Sequence, residues 1–144
     1  MRVDVCTEIL VARPVAEVAA YLSDPGNAPQ WYANIVRVEP LTPPPYAIGS
    51  RMTFEARFLG RTLVYTYEIT ALDPASGLTM TTHEGPFPMT TVYAWSAEGD
   101  ATRVTLRNHG EPSGFGAVAA PVMSAAVRRA NKADLARLRT VLER

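Results

Sequence analysis

The chain opens on a two-residue rhythm. Val3, Val5, Thr7, Ile9 and Val11 share one phase, and Asp4, Cys6, Glu8 and Leu10 share the other. Alternate side chains of a strand leave on opposite faces, so this pattern predicts a first strand with one buried face. Pro14 suits the first turn of a helix, where its missing N–H costs nothing. Val15, Val18, Ala19 and Leu22 follow at helical spacing, and Ser23-Asp24-Pro25-Gly26 stops that helix. Asn27 to Ala33 is expected as a second short helical turn, and Ile35 to Val38 as a second strand.

Glu39 to Ser50, EPLTPPPYAIGS, holds three consecutive prolines, which exclude both a helix interior and a central strand. The stretch before it is too short for a comfortable independent domain, so the segment reads as a stiff loop and not as a linker. Strand then follows strand. Met52, Phe54, Ala56 and Phe58 alternate with polar neighbours, as do Leu63, Tyr65, Tyr67 and Ile69. Leu78 to Glu84, Met89 to Ser96 and Thr102 to Asn108 complete a meander through turns at Asp73–Gly77, Gly85–Pro88 and Glu98–Asp100. From Ser113 the period becomes helical. Phe115, Ala119, Val122, Met123, Ala126, Ala130, Ala133, Leu138 and Val141 are expected on one side, with Arg128, Arg129, Lys132, Arg139 and Glu143 largely on the other. Pro121 either starts that helix or kinks it. One strand, two short helices, six strands and a long helix predict an α+β fold with the helices on one face of an antiparallel sheet.

Three segments then resemble a known family: the opening EILVARPVAEVAAYLSDPGNAPQWYANIVRVE, the strand–turn–strand TYEITALDPASGLTM, and GDATRVTLRNHGEP leading into a long helix that ends LARLRTVLER. The chain resembles the START-like (SRPBCC) superfamily of helix-grip proteins, in its polyketide cyclase/dehydrase-like branch. The likeness runs from about Val3 to Glu143 and is specific for fold. It implies one ligand-binding domain over residues 1–144, about seven curved strands around a long C-terminal helix, and a deep, largely apolar cavity between them. Members include aromatases/cyclases, lipid-transfer domains, hormone receptors and co-chaperones, so the fold does not choose among functions.

Composition narrows the choice. Fourteen Lys+Arg balance fourteen Asp+Glu, which removes the basic signature of nucleic-acid binding and argues against an anionic membrane surface as the main partner. Charged residues make up 19% and apolar residues 47%, leaving apolar surface for a core or a cavity. One cysteine excludes an internal disulfide framework and makes the cytoplasm the expected compartment. No signal-peptide block and no membrane span are read in the chain.

The alternation places Phe54, Phe58, Tyr65, Tyr67, Thr82, Glu84, Thr91, Tyr93, Trp95, Leu106 and Asn108 on the sheet's inner face. Val122, Met123 and Ala126 face them from the helix, and Tyr32 reaches the cavity or its rim beside the packing anchor Trp31. Small helix residues opposite aromatics suit close packing, and they equally suit a space that holds a ligand. The buried hydroxyls and amide favour the ligand, because a sealed core would struggle to satisfy them all. If the domain is catalytic, Tyr65, Tyr67 and Glu84 are the expected acid–base groups, with Asn108 orienting a carbonyl. Glu84 has a simpler reading at a strand end, in water beside Gly85. His83, His109 and Cys6 have no metal or nucleophile spacing, so neither metal nor cofactor is expected. The expected partner is a hydrophobic or aromatic small molecule, polyketide- or lipid-like, bound by a monomer or homodimer. A non-catalytic carrier or sensor and a co-chaperone-like interaction module are the alternatives.

Overall fold

The computed structural model describes residues 2–58, 60–82, 88–111 and 119–144, with the backbone alone at Phe58. Among them, seven strands form one antiparallel sheet: β1 (Val3–Val11), β2 (Ile35–Pro40), β3 (Arg51–Phe58), β4 (Arg61–Asp73), β5 (Gly77–Thr82), β6 (Met89–Glu98) and β7 (Ala101–Gly110). The helices are α1 (Val15–Leu22), α2 (Ala28–Trp31) and α3 (Ala120–Leu142). The strand order β1-β7-β6-β5-β4-β3-β2 brings the first strand home beside the last. Most of the sheet is therefore a simple meander, as the repeated turn signals predicted.

The alternation holds in the burial. Val3, Val5, Thr7 and Val11 are buried, and Asp4, Cys6, Glu8 and Leu10 are exposed. The inner residues of β3 to β7 follow the same rule, down to Met52, Ile69 and Leu106 at 0% exposure. Register shifts between Ile35 and Arg37 and between Ile69 and Ala71 put bulges into β2 and β4. An extra residue on one strand bends it and increases its twist, which helps the long β4 curl instead of lying flat. Gly77, at the start of β5, has no room for a side chain: a Cβ there would run into the Tyr93 carbonyl.

The break after α1 is built by its own side chains. Asp24 accepts a hydrogen bond from the Gly26 N–H at 2.9 Å and caps a 3-10 turn over Pro25–Asn27. The Asn27 amide donates back to the Tyr21 carbonyl at 3.0 Å. This hairpin of short helices delivers Trp31 into the core at 2% exposure. An aromatic of that size buries about 150–250 Å², worth roughly 4–6 kcal/mol at 25 cal/mol per Å².

Helix α3 rests on β1 and β7 and touches α2. Pro121 falls in its first turn, so of the two readings the helix starts there. Its buried residues are Met123, Val127, Asn131, Asp134, Leu135 and Leu138, while Arg128, Arg129 and Lys132 are exposed. The expected stripe through Val122, Ala126 and Ala133 is rotated from the true inner face. Val122 is 61% exposed, and Ala133 also faces solvent. The inner face carries two polar residues, and following apolar residues alone steers around them. Among the described residues, no helix is long and apolar enough to cross a membrane.

Candidate functional site

Between the inner face of the sheet and α3 lies a cavity of about 90 Å³. Its floor is aromatic. Phe54 on β3 stands opposite Tyr65 on β4 in the register, and their rings stack with centroids 5.9 Å apart. Tyr67, two residues along β4 on the same face, meets Phe54 edge-on at 5.0 Å. At the α2 end, Tyr32 lies 4.0 Å from the Trp31 ring, and Trp31 meets Tyr93 edge-on at 5.5 Å. Trp31 thus backs the wall while Tyr32 and Tyr93 line it.

The polar atoms in this wall are ordered by strand register. Thr91 on β6 lies directly opposite Asn108 on β7, and its hydroxyl donates to Asn108 Oδ1 at 2.6 Å. The Thr91 hydrogen is then committed, so in the 2.7 Å contact between Tyr67 and Thr91 the phenol is the donor. Tyr67, Thr91 and Asn108 form a one-way relay. Among the described residues it leaves a phenol oxygen free to accept and an amide NH₂ free to donate. A second contact joins the Tyr32 and Tyr93 hydroxyls at 2.9 Å. One of those two hydrogens therefore remains available.

Burial keeps all of these phenols protonated. It pushes Tyr67 up to about 12, against the opposing effect of its bond to Thr91. Burial likewise drives Tyr32 and Tyr65 well above their ordinary value, with neighbouring phenols adding to it. Tyr93 is raised by burial too, although the Tyr32 hydrogen bond works the other way. In a low-dielectric wall each is a neutral donor, not a base.

Helix α3 closes the cavity with Val127, Ala130, Asn131 and Asp134. Asp134 is 2% exposed and accepts the Ala33 N–H on Oδ1 at 3.0 Å. Burial pushes its carboxyl up to about 6, with the Ala33 N–H and Arg137 pulling the other way. Asn131, one turn earlier, is 4% exposed, and its Nδ2 has no acceptor. Neither residue was singled out in the sequence. The signal was present, because both fall in phase with Val127, Leu135 and Leu138, so two polar residues occupy an apolar helix face.

Residues 2–143 match the profile of the family described as polyketide cyclase/dehydrase and lipid transport. The chain belongs to that family. Its fold is the helix-grip fold of the START-like superfamily, and solved structures align along nearly the whole length. The Zhui aromatase/cyclase from Streptomyces sp. R1128 is 19% identical with a TM-score of 0.83, covering 100% of this chain and 95% of its own. A START superfamily protein from Mycobacterium smegmatis is 15% identical with a TM-score of 0.84, covering 97% of each chain. The di-domain aromatase/cyclase BexL, from the BE-7585A biosynthetic pathway, is 20% identical with a TM-score of 0.75, and 46% of its chain is covered. At these identities the likeness is one of fold. No curated protein matches the chain significantly in sequence.

Within this member of the polyketide cyclase/dehydrase family, the expected site residues divide. Tyr32, Phe54, Tyr65, Tyr67, Thr91, Tyr93 and Asn108 come together around the cavity. Thr82, Trp95, Leu106 and Met123 are buried but do not line it. Trp95 donates its Nε1–H to the Pro74 carbonyl at 2.9 Å, at the β4–β5 turn. Met123 clusters with Val3, Val5, Leu63 and Val127. Ala126 is half-buried and does not line the cavity, and Val122 points to solvent. Alternation tells inside from outside, but not which inner residues meet packed core and which meet open space. Glu84 and the Phe58 side chain lie outside the described residues.

Proposed function

We propose that this chain binds a compact hydrophobic or aromatic molecule, polyketide- or lipid-like, in the cavity between the sheet and α3. One observation carries the reading. An aromatic-lined space of about 90 Å³ is bordered by protonated phenols, the Asn108 amide and a buried carboxyl, which is the mixture that orients a ligand by a few polar contacts. The volume is below the ~300–1,000 Å³ of drug-sized pockets, so it suits a small ring system or one end of a longer molecule. Family membership supports the same class of ligand.

A second reading, catalysis, is favoured by Asp134. A carboxyl pushed up to about 6 beside neutral phenols is matched to proton transfer near neutral pH. In that role Tyr65 and Asn108 donate to a substrate carbonyl, Tyr67 holds the relay that orients Asn108, and Asp134 takes a proton from the adjacent carbon. Enolisation and dehydration both begin that way. Binding is tested by following the melting temperature against naphthols, polyphenols and fatty acids. A bound ligand raises it with concentration by mass action. Ala130→Phe fills the cavity and is expected to abolish the response while leaving the fold intact. A filled variant that still responds fully would place binding elsewhere, and no response in the wild type would remove the reading.

A further inference from the structure

On the sheet side, the Tyr67 and Thr91 hydroxyls and the Tyr32 and Tyr93 hydroxyls are partnered within the wall. The α3 side differs. Asn131 Nδ2 is a buried donor with no acceptor. Asp134, one turn on, receives only the Ala33 N–H among the described residues, on Oδ1. A buried donor without an acceptor is costly, and natural structures leave very few. Here the orphan belongs to a residue that lines a cavity, next to a carboxyl with acceptor capacity to spare.

We propose that Asn131 and Asp134 form a hydroxyl-recognition subsite, which selects ligands carrying a phenolic or enolic OH. The hydroxyl hydrogen goes to the free oxygen of Asp134, and Asn131 Nδ2 donates to the hydroxyl oxygen. A hydroxyl is one donor plus acceptor lone pairs, so a single group satisfies both protein atoms. A ketone would serve Asn131 alone, and a protonated amine, which has no lone pair, would serve Asp134 alone. The inference rests on the cavity reading above and sharpens it to a ligand class.

Binding through this pair is linked to protonation. Among the described residues, the charged and titratable groups that face Asp134 are Arg137 on its own helix and the phenols of Tyr32, after α2, and Tyr93, on β6. The phenols stay neutral across pH 4–8, and Asp134 is the group here that changes its charge within that range. As a carboxylate it is the stronger acceptor, and hydrogen bonds to charged partners are about twice as strong as neutral ones.

The test uses phenol and toluene, which match in shape and differ by OH against CH₃. Dissociation constants are measured by calorimetry or ligand-observed NMR at pH 7.5 and 4.5. An apolar cavity would favour toluene. The wild type is expected to reverse that order, with phenol bound roughly tenfold more tightly at pH 7.5 and the preference reduced several-fold at pH 4.5. Asn131→Leu, close in shape, is expected to return the preference to toluene. Asp134→Asn keeps an acceptor for Ala33 and is expected to lose the pH dependence, so the test does not hang on one variant folding. Equal binding of the two probes, or a phenol preference that survives both substitutions, overturns the subsite and leaves the cavity reading standing. Failure of both probes to bind overturns the two together.

Discussion

Replacing Asp134 by asparagine should make the protein more stable at neutral pH and should not do so in acid. The folded carboxyl titrates at about 6, against an ordinary value of 3.8, because burial disfavours its charge. Between those values the folded state holds a proton that the unfolded chain has released. Wild-type stability therefore falls as the pH rises through about 4 to 6, and the loss is complete above that window. A difference of about two pKa units corresponds to roughly 3 kcal/mol. Asparagine keeps the acceptor for the Ala33 N–H at 3.0 Å, and its unpartnered NH₂ costs about 1 kcal/mol. The expected net gain at pH 7.5 is about 2 kcal/mol. Unfolding entropy near 2.1 cal/mol/K per residue over 144 residues gives about 0.3 kcal/mol/K, so the variant should melt about 7 °C higher. At pH 4, close to the unfolded value of 3.8, most of the pH-dependent part is gone, and the variant should melt level with the wild type or a few degrees below it. Calorimetric or circular-dichroism melts of both proteins at the two pH values decide it, since other titrating groups cancel in the comparison. An equal melting difference at both pH values would refute the buried, proton-holding Asp134.

The relay from Tyr67 through Thr91 to Asn108 should behave as a coupled unit. Tyr67→Phe and Thr91→Val are each expected to cost about 1–2 kcal/mol in urea unfolding, with a coupling energy near 1 kcal/mol in the double mutant. Strict additivity would break the relay into independent contacts. Trp31→Ala should cost about 3–5 kcal/mol, because a side chain at 2% exposure leaves a void behind Tyr32 and Tyr93. A loss under 1 kcal/mol would mean that Trp31 is not the anchor of the α2 wall.

The frame of this molecule was legible because its signals are local and redundant. Two-residue alternation in β1 and β3 to β7, the Asp24-Pro25-Gly26 break, and the long helical period at the end each name one element. Together they point to an antiparallel sheet with its helices on one face, and the resemblance to the helix-grip superfamily adds the sheet's grip around the last helix. The site was legible in part. Tyr32, Tyr65, Tyr67, Thr91, Tyr93 and Asn108 meet at the cavity because inward phase on adjacent strands fixes which side chains can meet. Trp95 and Leu106 share that phase but sit in packed core, since where the helix lies over the sheet is a tertiary matter that alternation does not encode. The helix side was misread for a different reason. Apolar residues at Val122, Ala126 and Ala133 made a plausible stripe, while the true inner face carries Asn131 and Asp134. A polar residue in a buried phase breaks the hydrophobic pattern at the place where a ligand can satisfy it.

The proposed ligand is a small aromatic molecule held in the cavity between the sheet and α3. The most direct measurement is an amide and side-chain NMR titration with phenol. Saturable shifts are expected at Tyr32, Tyr67, Thr91, Tyr93, Asn131 and Asp134, with Trp31 following as the wall behind them. Shifts confined to exposed residues such as Val122 and Arg128, with the cavity signals unmoved at saturation, would contradict it.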